Sequence, residues 1–398
     1  MLNYENWISY RYFSAGKGKF LTFLNFVSVA GIAIGVMALI VVTGVMTGFG
    51  NNLREKIIGT TPHIVVEKEN GIGNYQDPVK QLAEVPGVVG VSAYIQGSVF
   101  LDSGGRATGL TLRGIDPETE KNVTDIKKYL KQGKVEDLAK DNIVIGQELA
   151  RYFGYSIGDK VTLIAPGSGI AGRGWRYELT IVGIFNTGMV DLDTNLVIVD
   201  LKTAQTVFNL APDRVSGIGL KLKDPQQAAE IKRTIYQKFG YSFLVRTWID
   251  VNRNLFEALF LEKWGLFIVL TLMVLVAAFN IVSTMIVTVM SKTHDIGILK
   301  SFGVPNGGIR RIFTKQGIMI GMIGTFWGVV SGVAVSYILR HYVKVPEQIY
   351  SIEHVPVELQ LSDMLIIVAA ALVISYLAAI YPAIRAGHLQ PVEALRYE

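Results

Sequence analysis

Residues 264–291 read WGLFIVLTLMVLVAAFNIVSTMIVTVMS, a run with no Lys, Arg, Asp or Glu at any position. A helix needs about 20 predominantly apolar residues to cross the hydrocarbon core of a bilayer. Core helices of soluble proteins seldom run this long without a charge. Three further windows have the same character, Phe20–Leu53, Gln316–Leu339 and Met364–Ile384. The reading is therefore an α-helical membrane protein with four transmembrane helices. The first apolar run is longer than the roughly 7–15 residues of a signal-peptide core and lacks a convincing small-residue cleavage site, so it reads as a retained anchor.

Short-loop Lys and Arg set the orientation. Arg11, Lys17 and Lys19 precede the first helix, and Lys292, Lys300, Arg310, Arg311 and Lys315 lie between the second and third. The connection from the third to the fourth is acidic, with Glu347, Glu353, Glu358 and Asp363. This alternation puts both termini and the loop after helix 2 in the cytoplasm. The expected layout is a cytoplasmic amphipathic segment (1–20), helix 1 (21–49), a large extracytoplasmic domain (50–262) inserted between helices 1 and 2, and helix 2 (263–290). A cytoplasmic loop (291–311), helix 3 (312–339), an outer loop (340–363), helix 4 (364–384) and a cytoplasmic tail (385–398) complete it.

The chain has 398 residues, half of them apolar, a net charge of +5 and no cysteine. Disulfides, thiolate metal sites, cysteine nucleophiles and a lipid-modified cysteine are excluded on this chain. The inserted domain is nearly neutral, so the basic balance follows from topology and no nucleic-acid partner is expected.

That domain mixes strands and helices. Short apolar runs predict strands over His63–Glu67, Gly97–Leu101, Thr108–Gly114, Lys160–Ala165, Leu179–Phe185, Leu196–Val199 and Ile218–Leu222. Amphipathic runs predict helices over Pro78–Val85, Gly146–Phe153, Leu201–Phe208 and Gln226–Phe239, the last capped by Asp224 with Pro225 in its first turn. A helical stalk is expected over Trp248–Leu261. The domain reads as α+β with two lobes.

Catalytic patterns are missing. There is no G-x-x-x-x-G-K-[ST] phosphate loop, no G-x-S-x-G elbow and no H-E-x-x-H, and the five histidines show no ligand spacing. No catalytic residue, metal site or cofactor is assigned, and ATP binding in the Walker manner is not expected here. Gly167–Gly172 matches G-x-G-x-x-G, but a strand follows it where the phosphate site needs a helix N-terminus. It reads as a glycine-rich hairpin tip, and its Arg173, Trp175 and Arg176 could meet a partner.

Helix 3 steps its glycines by four in two runs, Gly317 to Gly321 and Gly324 through Gly328 to Gly332, and helix 1 carries Gly31 and Gly35. Small-x3-small spacing serves close helix packing, either within one bundle or between subunits. Asn280 lies within helix 2 and is expected to bond between helices. No ionisable residue lies inside any span, which argues against an ion-coupled carrier. The loop after helix 2 predicts a short amphipathic helix over His294–Phe302, with Gly303 as its C-terminal cap and Pro305 as its stop. It would lie on the membrane surface or dock into a cytoplasmic protein.

Several strings together resemble the permease subunits of the lipoprotein-releasing ABC transporter, the LolC/LolE type, within the wider superfamily that includes macrolide exporters and cell-division permeases. They are Val29–Ile40 running on to Val45-Met46-x-Gly48-Phe49, Ile145–Ala150 with Gly158–Val161, and Asn254-Leu255-Phe256 with Glu262-Lys263. Ala277–Thr284, Tyr381-Pro382-Ala383-x-Arg385-Ala386 and Pro391-x-Glu393–Glu398 complete the set. The resemblance implies a bacterial inner-membrane subunit without catalysis of its own. It would pair with a second permease chain, sit on a cytoplasmic ABC ATPase and pass acylated lipoproteins from the membrane lipid to a periplasmic carrier. It implies that Asp295, Ile296, Ile298, Leu299, Lys300, Phe302 and Gly303 form the helix seated on the ATPase. Val42, Met46, Phe49, Leu266 and Leu270 would line the acyl-chain cavity, and Pro166–Tyr177 would be the carrier-contact loop. Features of both permease types are mixed in this chain, which points to a hybrid able to homodimerise. The competing readings are a macrolide-exporter-like or mechanotransmitting permease, a membrane-anchored binding or scaffold protein, and an enzyme.

Overall fold

The computed structural model describes residues 4–14, 19–104, 106–165, 175–343 and 355–390, with the side chains of 13, 14, 19–21, 106 and 270 excepted. Two units are present. One is helical and is drawn from residues 4–50, 259–343 and 355–390; the other comprises residues 51–258.

In chain order the helices are α1 (Tyr4–Ser14), α2 (Lys19–Thr60), α3 (Gln76–Ala83), α4 (Pro117–Glu120), α5 (Ile126–Tyr129), α6 (Gln147–Phe153) and α7 (Val190–Asn195). They continue as α8 (Leu201–Val207), α9 (Ala228–Phe239), α10 (Trp248–Val251), α11 (Arg253–Ser291), α12 (Thr293–Ser301), α13 (Asn306–Tyr342) and α14 (Leu361–His388). The strands are β1 (Ile64–Ile72), β2 (Val88–Ser103), β3 (Arg106–Ile115), β4 (Leu130–Gly133), β5 (Asn142–Gly146), β6 (Lys160–Ala165), β7 (Trp175–Phe185), β8 (Leu196–Asp200), β9 (Val215–Leu222) and β10 (Leu244–Thr247).

The strands form one ten-stranded sheet in the order β10-β1-β9-β2-β3-β8-β5-β7-β4, with β6 pairing β2 and β7. Pairs β3/β8 and β5/β7 are parallel and the others antiparallel. The two lobes expected from sequence are thus joined in a single sheet. The strand that unites them is β2, which extends well beyond the expected Gly97–Leu101 and pairs with β9, β3 and β6. Gly97 looked like a strand boundary. It is a mid-strand position whose missing side chain admits the Phe208 ring, which a Cβ would meet at 2.6 Å. One large core gathers alternate strand residues such as Ile64, Ile95, Leu112, Val199 and Leu220 with Leu82, Ala204 and Ile235 from the covering helices. A smaller cluster forms around Ile115, Val144, Phe185 and Ile198.

Three short strands, β4, β5 and β10, are missing from the expected set: β4 and β10 have four residues with few apolar ones, and β5 has only five before its chain turns into α6. The expected stalk is interrupted. Thr247 and Asp250 form a reciprocal capping box that starts α10, the chain breaks at Asn252, and α11 begins at Arg253. Asp224 accepts from the Gln226 N–H and caps a 3-10 turn over Pro225–Gln227 that leads into α9, which itself begins only at Ala228 without a side-chain cap.

Among the described residues four helices are long and apolar enough to cross a membrane: α2 over Thr22–Thr60, α11, α13 and α14. The central helix is α13, which packs glycines against two neighbours. A Cβ on Gly324, Gly328 or Gly332 would meet the Cβ of Ile32, Val36 or Ile40 of α2 at 2.8, 2.6 and 3.1 Å. On another face, Gly317 and Gly321 meet Ala379 and Ser375 of α14. The glycine stair is therefore filled from within the chain. Helices α2 and α11 share a hydrogen bond from the Ser28 hydroxyl to Thr284 Oγ1 at 2.6 Å, and Gly31 makes room for the Asn280 amide.

Candidate functional site

Helix α12 sits where α11 turns back into α13. Gly303 takes φ +86°, its N–H donates to Lys300 O, and the Val304 N–H donates to Leu299 O. This pair of bonds is a Schellman ending, with Val304 and Leu299 together at the apolar core of the helical unit. The seven residues singled out in this segment divide by direction. Ile296 is fully buried and Leu299 packs against the same core. Ile298 and Phe302, one turn apart, are 38% and 84% exposed and form an apolar stripe on the outer face. Sequence reasoning grouped all seven as one surface; the 3.6-residue period, applied to Ile296/Leu299 against Ile298/Phe302, holds the signal that separates them.

Polar contacts fix α12 at both ends. At the start, Lys292 Nζ lies 3.1 Å from Asp295 Oδ2 and 5.0 Å from the centre of the Tyr12 ring of α1. Burial first, then the facing Asp295 carboxylate, push the Tyr12 hydroxyl up to about 12. At the end, Lys300 Nζ donates to Gly387 O at 2.7 Å and Leu389 O at 2.6 Å. Burial lowers the Lys300 pKa. Helix α1 is itself tied to α13. Glu5, almost fully buried, pairs with Lys315 at 2.8 Å and Arg311 at 3.4 Å, and Ser9 Oγ donates to Ile312 O. The Lys315 hydrogen bond, outweighing burial, lowers the Glu5 pKa. A groove of about 260 Å³ between α1 and α12 is lined by Trp7, Ile8, Arg11, Tyr12, Asp295, Ile298 and Leu299. This network was not anticipated, since it joins residues some three hundred positions apart.

The other predicted residues are placed as follows. Val42, Met46 and Phe49 on α2 and Leu266 on α11 are half-buried, and the Leu270 side chain lies outside the described residues. None of the four with described side chains lines the 40 Å³ apolar crevice onto which Gly35 opens between α2, α11 and α14. In the first half of α11, Trp264, Phe267, Ile268, Val269 and Leu272 are all exposed. Pro166, Arg173 and the G-x-G-x-x-G string lie outside the described residues. Their flanks are β6 and β7, paired antiparallel from Ala165↔Trp175 onward, so a strand and not a helix follows the glycines. Trp175 is 63% exposed, while Arg176 is paired with Asp102 at 3.1 Å.

The sheet unit holds a second polar feature. A cavity of about 260 Å³ is lined by Glu67, Tyr94, Gln96, Arg113, Asn195, Arg246 and neighbours. Arg246 pairs with Glu67, the Tyr94 hydroxyl donates to Glu67 at 2.8 Å, and Arg113 stacks on Tyr94 and bonds Glu120. No cluster of His, Asp and Glu able to hold a metal occurs among the described residues.

Four candidate spans, an α/β sheet inserted between the first two and a capped helix presenting an apolar stripe define a permease-type membrane subunit. Matching families agree with that class: residues 25–237 match the MacB-like periplasmic core domain and 267–391 the FtsX-like permease C-terminal domain. The chain is 35% identical, over the full length of both, to the lipoprotein-releasing system transmembrane protein LolC of Neisseria meningitidis serogroup B. It is 34% identical to LolC of Xylella fastidiosa over 98% of each, and 28% identical to LolE of Haemophilus influenzae over 99% of each. This chain belongs to the LolC/LolE family of lipoprotein-releasing permeases. Among solved structures, the periplasmic region of MacB from Actinobacillus actinomycetemcomitans covers 50% of this chain and 94% of its own at 15% identity, with a TM-score of 0.33.

Proposed function

We propose that this chain is the membrane subunit of an ABC transporter that extracts acylated lipoproteins from the bacterial inner membrane and hands them to a periplasmic carrier. Hydrolysis takes place on a separate cytoplasmic ATPase, against which α12 presents Ile298 and Phe302. The observation that carries this reading is the apolar pair on the outer face of α12, in a chain with no nucleotide-binding sequence of its own. The orientation follows the loop charges, with both termini and α12 in the cytoplasm and the sheet unit in the periplasm. Acyl chains enter beside Val42, Met46, Phe49, Leu266 and Leu270. The exposed outer half of α11 is completed by lipid and by a second permease chain, here a second copy. The 166–177 hairpin tip, with Pro166, Arg173, Trp175 and Arg176, meets the carrier. Both an energy source and a hydrophobic acceptor are required, because withdrawing acyl chains from a bilayer costs about 0.8 kcal/mol per CH2.

The test is reconstitution with the candidate ATPase in liposomes loaded with a triacylated lipoprotein, reading ATP-dependent transfer to a soluble carrier. Transfer that requires ATP, this chain and the carrier supports the reading. ATP hydrolysis without transfer, across several lipoproteins and carriers, would move the chain to general export or mechanotransmission. Co-purification of two differently tagged copies with the ATPase tests the homodimer, and recovery of one tag alone rejects it.

A further inference from the structure

Lys300 reads from sequence as one of the residues offered to the ATPase. Its ammonium turns the other way, into the chain, and donates to Gly387 O and Leu389 O at the end of α14. Those carbonyls include orphan acceptors of a helix C-terminus, where the macrodipole is negative and a cation is favoured. Among the described residues no carboxylate pairs with Lys300, and the two groups that accept from its ammonium are backbone carbonyls. Backbone carbonyls cannot change rotamer, so the acceptor side of the tie is fixed in place. The end of α14 is in turn seated on α13, where a Cβ on Gly387 would meet Asn306 O at 3.0 Å. On the opposite flank of Lys300, Ile298 and Phe302 face outward from the same helix.

We propose that Lys300 is a positioning residue that fastens α12 to the C-terminus of α14, so that displacement of α12 by a bound ATPase moves α14 with it. The proposal rests on the reading that α12 meets an ATPase. A simple filling role for the Lys300 stem would be met as well by methionine, which keeps the length and loses the donor. A tie needs the charge and its hydrogen bonds, which arginine retains.

The experiment compares wild type, Lys300→Met and Lys300→Arg in the full complex in liposomes, reading lipoprotein released per ATP hydrolysed, with ATPase co-purification as a separate readout of assembly. Coupling between sites is commonly worth 5–150-fold, and a loss of about tenfold in release per ATP is expected for Lys300→Met, with recovery in Lys300→Arg. Because the chain has no cysteine, spin labels at Ser301→Cys and His388→Cys, introduced in only one of the two copies of the complex, report the α12–α14 distance within that copy. That distance is expected to hold between nucleotide-free and vanadate-trapped complexes of otherwise wild-type chain, and to broaden with Lys300→Met. Unchanged release per ATP in Lys300→Met, or a wild-type distance that shifts on trapping, overturns the tie while leaving the transporter reading intact. A wild-type chain that neither binds the ATPase nor releases lipoprotein overturns both.

Discussion

At the scale of single residues, direction on a helix decides role. Leu299 and Phe302 are both apolar and three positions apart, yet one packs inward and the other stands 84% exposed. Phe302→Asp is expected to leave the fold intact and to cut ATPase co-purification by about tenfold or more, as removal of an interface anchor does. Leu299→Asp buries a charge without a partner, and is expected to lower the yield of folded chain before any partner is added. Size-exclusion profiles of the two variants without ATPase separate these outcomes; equal misfolding of both would remove the distinction. In the sheet unit, His63 is buried and its Nδ1 accepts the Leu222 N–H. Burial first, and Lys221 next, depress its pKa from 6.5 to about 4. The unfolded chain therefore takes up a proton at a higher pH than the folded one. Stability is whole above pH 6.5 and declines as pH falls toward 4, by up to about 3 kcal/mol. Denaturant unfolding at pH 7.5 and 5 checks this, and His63→Gln is expected to flatten the difference.

At the scale of elements, equal glycine spacing conceals unequal packing. Gly328 is pressed against Val36 Cβ and Ala33 O, whereas nothing lies within 4 Å of a Cβ on Gly35. Gly328→Val should force α13 off α2 and cost roughly 1–3 kcal/mol or more. Gly35→Ala should be neutral or slightly stabilising, since the methyl enters the crevice. Thermal unfolding in detergent ranks them, and a Gly35→Ala chain as damaged as Gly328→Val would show that Gly35 meets another surface. The stair was visible in the sequence as a period; which neighbour fills each step was not, because that depends on how α2, α13 and α14 cross.

At the scale of the whole molecule, loop charges and the four spans predict which segments meet which compartment. With the chain otherwise free of cysteine, Tyr241→Cys (91% exposed) should react with an impermeant maleimide added to intact spheroplasts, and Ser301→Cys only after the membrane is opened. The reverse pattern would invert the topology and with it the assignment of α12 to the ATPase.

By itself the sequence carried the four spans, the inserted α+β domain and the capped helix before Gly303, and from the loop charges it predicts the orientation that the labelling experiment tests. Each of these follows from local composition or period. The tertiary structure alone decided that Ile298 and Phe302 face outward while Lys300 is turned to α14, that Glu5 locks α1 to α13, and that one sheet spans the domain through β2. These outcomes depend on partners remote in the chain, and hydrogen bonds such as Lys300 to Gly387 or Glu5 to Lys315 leave no periodic trace in either partner's own neighbourhood.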